Sequence, residues 1–143
     1  MTPRSMARAM KKQNTPAVQR DLIVVVDDDA AVRKSLKFSL EVEGFAVQTY
    51  ARGEELLNEA AFPACGCLVI DQKLPGMSGV DVITELRNRK VLVPVILITT
   101  HPSSDLIKRA AGAGVPIVEK PLLNGTLLDG IHHAMLRPTP SSV

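Results

Sequence analysis

Residues 22–26 read L-I-V-V-V, apolar at every position, and stop at three consecutive aspartates, Asp27, Asp28 and Asp29. A strand with one face in water alternates apolar and polar residues. A run without a polar position is buried on both faces, and such strands belong in sheets covered by helices on each side.

The chain then repeats that unit. Residues 30–43 carry Val32, Leu36 and Leu40 at helical spacing, and Gly44 stands where a helix-ending glycine would. Residues 45–49 alternate like a second strand, and 53–60 predict a short helix closed by Pro63. A third buried strand is expected over 67–70, ended by Asp71, with the loop L-P-G-M-S-G leading to a helix near 80–88. Residues 94–98 predict a fourth strand, ended by Thr99-Thr100, and a helix follows near 104–111. A short fifth strand over 115–118 stops at Glu119-Lys120-Pro121, and 124–136 predict a last helix with Leu127, Leu128, Ile131 and Met135 on one face. Five strands alternating with five helices predict an α/β fold: (βα)5, doubly wound, flavodoxin-like, with a five-stranded parallel sheet in the order 2-1-3-4-5.

A chain of 143 residues, 45% hydrophobic and 22% charged, has room for one domain. Residues 1–20 hold five of the 17 basic residues and none of the 15 acidic ones. The expected division is a basic, disordered leader over 1–20 (Met6 and Met10 being alternative starts), a domain over 21–137, and a disordered tail over 138–143. No DNA-binding domain is legible, so any output is expected through contacts of the domain itself. No apolar run reaches the ~18–20 residues of a membrane helix, and no apolar segment follows the basic N-terminus. Cys65 and Cys67 lack the spacing of redox or zinc motifs and read as reduced thiols at a strand edge, which fits the cytoplasm.

The polar residues that end the strands carry the chemistry. In an open parallel α/β sheet, ligands bind beyond the carboxyl ends of the strands, where the strand order reverses. In the order 2-1-3-4-5 that point lies between strands one and three, so Asp27, Asp28 and Asp29 would meet Asp71, with Thr99 and Lys120 beside them. Clustered carboxylates repel one another unless a cation intervenes, and oxygen-only ligands suit Mg²⁺ or Mn²⁺. One carboxylate can then attack phosphorus and form an acyl phosphate. Lys120 can neutralise a phosphoryl oxygen and Thr99 can hydrogen-bond another. Singly, each residue has a plainer reading: an aspartate at a strand end is commonly a turn residue, and Asp29 could simply cap the first helix.

The segments V-V-D-D-D-A-A-V-R-K-S-L, V-I-D-Q-K-L-P-G-M-S-G, I-L-I-T-T and E-K-P resemble those of response-regulator receiver domains, over roughly residues 21–136. The wording is closest to receivers of the nitrogen-fixation regulator type. The resemblance implies that Asp71 is the phosphoacceptor and that Asp27 and Asp28 bind Mg²⁺ with it. Lys73 would lend its backbone carbonyl to the ion. Thr99 and Lys120 would meet the phosphoryl group, and Pro121 matches a proline often preceded by a cis peptide. Lys73 and His101, two residues beyond Asp71 and Thr99, would tune how fast water removes the phosphoryl group. The implied partners are a sensor histidine kinase or a histidine phosphotransfer protein, a downstream protein target, and a second copy through helix 4, strand 5 and helix 5. Such a protein is a switch that catalyses only its own phosphorylation and dephosphorylation.

Two departures concern the output face. Ile117 stands where the family usually has Phe or Tyr, so the aromatic switch is absent or replaced by an aliphatic rearrangement. The segment from Thr99 to Lys120 is about one residue short, with Pro102 and Pro116 inside it; Pro116 is expected in an edge strand. Two other readings stay open: an adaptor indifferent to phosphorylation, and a Mg²⁺-dependent phosphohydrolase working through an aspartyl phosphate. The second lacks an acid at position 73.

Overall fold

The structure, a computed structural model, describes residues 19–122 and 125–136. Residues 1–18 of the leader expected over 1–20, and the tail expected over 138–143, lie outside those residues. The elements run β1 (Gln19–Val26), α1 (Ala30–Val42), β2 (Ala46–Tyr50), α2 (Gly53–Leu57), β3 (Cys65–Asp71), α3 (Gly79–Asn88), β4 (Val95–Thr99), α4 (Ser104–Gly112), β5 (Ile117–Glu119) and α5 (Thr126–Leu136).

The strands form one sheet in the order β2-β1-β3-β4-β5, with every neighbouring pair parallel. Side chains alternate between its faces. Val24, Val26, Leu68, Ile70, Val95 and Leu97 point to one face, where Leu56 and Leu57 of α2, Ile83 and Leu86 of α3, and Leu106 and Ala110 of α4 cover them. Ile23, Val25, Val69, Ile96 and Ile98 point to the other, under Leu36 and Leu40 of α1 and Leu127, Ile131 and Ala134 of α5. The unbroken apolar run of β1 thus feeds two cores. Each fully buried Val, Leu or Ile contributes roughly 1.5–3 kcal/mol of transfer free energy.

Local signals in the sequence set the helix ends. Asp29 caps α1, its side chain accepting from the N–H groups of Ala31 at 2.9 Å and Val32 at 3.2 Å. Gly44, at φ +99°, closes it: its N–H reaches the Glu41 carbonyl and that of Phe45 the Leu40 carbonyl, the paired bonds of a left-handed C-cap. Ser78 and Ser103 cap α3 and α4 in the same way as Asp29.

Four expectations need correction. Strand β1 begins at Gln19, taking in the last two residues of the segment expected as leader. Helix α2 ends at Leu57, short of Ala60, because the chain turns toward Pro63. Strand β5 is Ile117–Glu119, so Pro116 precedes it rather than lying within it; the Pro116 carbonyl still accepts from Leu97 N–H at 3.0 Å. The two cysteines lie inside β3, a central strand, and both are buried. Burial pushes each thiol up to about 12, which leaves them inert packing residues.

Candidate functional site

Parallel register brings the acids together. Val26 of β1 pairs with Ile70 of β3, so the next residues, Asp27 and Asp71, emerge side by side at the carboxyl edge of the sheet. Both are buried, at 2% and 4% exposure, while Asp28 is exposed beside them. One oxygen from each of Asp27, Asp28 and Asp71 lies within 4.8 Å of the others. The cleft they line has a volume of about 730 Å³ and also takes in Lys73, Thr99, His101 and Lys120.

Lys120 follows β5 and reaches back over the acids. Its Nζ donates to Asp71 Oδ2 at 3.0 Å and stands 3.9 Å from Asp27 Oδ2. Its backbone N–H bonds to the Thr99 carbonyl at 2.8 Å, fixing where the side chain starts. The Lys120–Pro121 peptide is cis. Burial pulls the Lys120 ammonium down, but the hydrogen bond and charge of Asp71, joined by Asp27 and Asp28, outweigh it and hold the group above its ordinary value.

Asp27 is the strained member. Its Oδ1 accepts from Asp29 N–H at 2.9 Å, but Oδ2 is buried with no hydrogen-bond partner among the described residues. Burial raises its carboxyl above the usual range, and the charges of Asp71 and Asp28 add to that; the Asp29 N–H and Lys120 oppose it. An orphaned buried oxygen facing two further carboxylates is what a hard divalent cation would satisfy, and the oxygen-only donor set suits Mg²⁺. The residues present therefore fit such an ion.

Several supporting residues were not singled out from sequence. Arg33 Nη1 donates to the Asp27 carbonyl at 2.7 Å and pins the strand end that carries the acids. Gln72 accepts twice from the start of α3, through its carbonyl from Gly79 N–H and through its side chain from Val80 N–H. Gly79 packs against the carbonyl of Asp71, where a β-carbon would stand 2.6 Å from that oxygen. The glycine belongs to the L-P-G-M-S-G motif, but spacing alone does not reveal the close approach. Lys73 N–H bonds to Asp71 Oδ1 at 3.3 Å, and its side chain is exposed at the cleft rim with His101. Ile117, half-buried, packs against the core that holds Leu106 and Ala110.

A profile of the response regulator receiver domain matches residues 23–132. The chain belongs to the response regulator receiver domain family. It is 38% identical over 111 residues to the transcriptional regulatory protein FixJ of Rhizobium meliloti, covering 77% of this chain and 54% of that protein. It is 34% identical over 119 residues to nodulation protein W of Bradyrhizobium diazoefficiens, covering 82% and 52%. The crystal structure of FixJ-N superposes with a TM-score of 0.73 at 32% identity, over 87% of this chain and all of that one. The chain spans about half the length of the curated relatives it matches.

Proposed function

We propose that this receiver takes a phosphoryl group from a phosphohistidine onto Asp71 and thereby changes which proteins it binds. The observation that carries the reading is the Lys120 ammonium on the carboxylate of Asp71, which also faces Asp27 and Asp28. A cation and an acid cluster on one buried carboxylate make a nucleophile that can meet an anionic phosphoryl group.

Asp27, Asp28 and Asp71 would hold Mg²⁺ or Mn²⁺, with the Lys73 carbonyl as a further ligand. When bound, that ion supplies charge neutralisation to the phosphoryl oxygens. An Asp71 carboxylate oxygen attacks phosphorus; the P–O bond forms as the P–N bond to the donor imidazole breaks, and the imidazole takes up a proton. Lys120 leaves Asp71 for a phosphoryl oxygen, and the Thr99 hydroxyl donates to another. Water later cleaves the acyl phosphate, releasing inorganic phosphate and restoring Asp71. Lys73 and His101 stand at the rim where that water must pass, which supports a tuning role. The domain is thus a switch that acts on itself and turns over no other substrate.

The phosphodonor is a sensor histidine kinase or a histidine phosphotransfer protein. The added charge of about −1.5 to −2 biases the face of α4, β5 and α5 toward a protein target or a second copy. The two unbridged thiols are in keeping with a reducing cytoplasm; among the described residues no helix is long and apolar enough to cross a membrane. The test is intact mass after incubation with Mg²⁺ and a small acyl phosphate. A gain of one labile phosphoryl group, absent from Asp71→Asn, supports the reading. Equal gain by the variant sinks it.

A further inference from the structure

The six residues between Gln72 and Gly79 form the loop that leaves the phosphoacceptor strand and contains the Lys73 carbonyl. Its two ends are well held: Lys73 N–H by Asp71, and Gly79 N–H by Gln72. The middle is held from another element. Met77 N–H donates to Glu54 Oε2 at 3.3 Å, across 23 residues of sequence.

The contact is closely fitted. Gly76 has φ +77°, and any β-carbon there would overlap Glu54 Oε2. The same virtual carbon would lie 3.3 Å from the Arg52 guanidinium, and Arg52 Nε stands 3.8 Å from Glu54 Oε1. Glu54 lies in the first turn of α2. That turn packs closely, because Gly53 is seated directly on the Val82 side chain of α3, leaving no space for a side chain of its own. Glu55 secures the turn further, its Oε1 accepting from the N–H groups of Ala51 and Arg52 at 3.0 Å each. A carboxylate on a fixed turn therefore grips the loop backbone at the one place where a glycine lets it come close.

We propose that Glu54 is a positioning residue for the cation site: by holding the Gly76–Met77 backbone it sets where the Lys73 carbonyl points. This rests on the reading of the acid pocket as a Mg²⁺ site given above. Glu54 touches neither ion nor phosphoryl group, and its effect passes through the loop. Removing a group that orients a metal ligand weakens affinity about tenfold or more at strongly coupled sites. One ligand among several, held also at its own end by Asp71, puts the expected loss near the lower end of that range.

The experiment is calorimetric titration of the full chain with Mg²⁺, comparing the parent with Glu54→Ala and Glu54→Gln, and melting each without the ion. Glu54→Ala is expected to bind Mg²⁺ about tenfold more weakly. Glu54→Gln, which keeps an acceptor for Met77 N–H, is expected within about twofold of the parent. Should Glu54→Ala not fold, Glu54→Met keeps the stem length without the acceptor and replaces it. Parent-like affinity in the alanine or methionine variant overturns the proposal. Equal weakening by Ala and Gln overturns it as well, since the carboxylate charge would then act at long range. A parent that binds no Mg²⁺ instead overturns the metal-site reading itself, so the two failures are told apart.

Discussion

Gly79 lies so close to Asp71 that a single added carbon would stand 2.6 Å from the Asp71 carbonyl oxygen and 3.0 Å from the α-carbon of Gln72. Two of its three nearest neighbours are backbone, which cannot swing aside. Gly79→Ala is expected to lower stability by about 1–3 kcal/mol, as overpacking does, and to slow phosphoryl uptake by moving the strand end that carries Asp71. Chemical denaturation together with uptake kinetics checks both; an unchanged midpoint and rate would refute the close fit.

The orphaned Asp27 oxygen makes a prediction of opposite sign. Replacing the buried charge by an amide, Asp27→Asn, is expected to stabilise the metal-free protein by about 1–3 kcal/mol, because the substitution relieves an unsatisfied buried acceptor. The same change is expected to abolish stabilisation by Mg²⁺. Melting curves with and without the ion read both effects. A variant less stable than the parent would refute the unsatisfied state of Asp27 Oδ2.

The pH dependence follows from the same residue. Burial first, and the neighbouring acids after it, raise the native Asp27 carboxyl above its ordinary 3.8. The native state then holds this proton more tightly than the unfolded chain does. The Asp27 contribution therefore grows as pH falls through the raised native value toward 3.8 and is lost as pH rises through it. Melts of the metal-free parent against Asp27→Asn across this interval should show that slope in the parent alone.

Lys120 Nζ donates to Asp71 Oδ2 in the resting protein, so its ammonium would compete with a cation for that carboxylate. Lys120→Ala is expected to bind Mg²⁺ at least as tightly as the parent, while the conformational response to phosphorylation falls away. Titration of the ion, and methyl resonances of Ile117 and Leu106 before and after phosphoryl transfer, separate the two. Loss of Mg²⁺ binding in step with the response would argue against a phosphoryl-sensing lysine.

Much of this was readable from the chain because the fold depends on pattern. The L-I-V-V-V run, Gly44 and the polar residues at the strand ends each carry their meaning in a few neighbouring positions. With the strand order known, register alone brings Asp27 to Asp71. The start of β5 and the placing of Pro116 were misjudged because strand ends depend on which partner strand is present opposite them, and the end of α2 because the chain turns there toward Pro63. Glu54 and Gly79 were passed over for a different reason. Their importance lies in backbone approaches across 23 and eight residues, and no local spacing encodes such distances.

Strand β5 is three residues long and pairs with one neighbour, yet it delivers Lys120 to the site. Amide protons in such a segment escape through local opening that leaves the rest of the sheet closed. Lys120 thus follows a short edge strand, while Asp71 ends a strand flanked on both sides. A new ion pair between Lys120 and a phosphoryl oxygen would knit that edge to the rest of the sheet. The signal would then include a loss of fluctuation along β5.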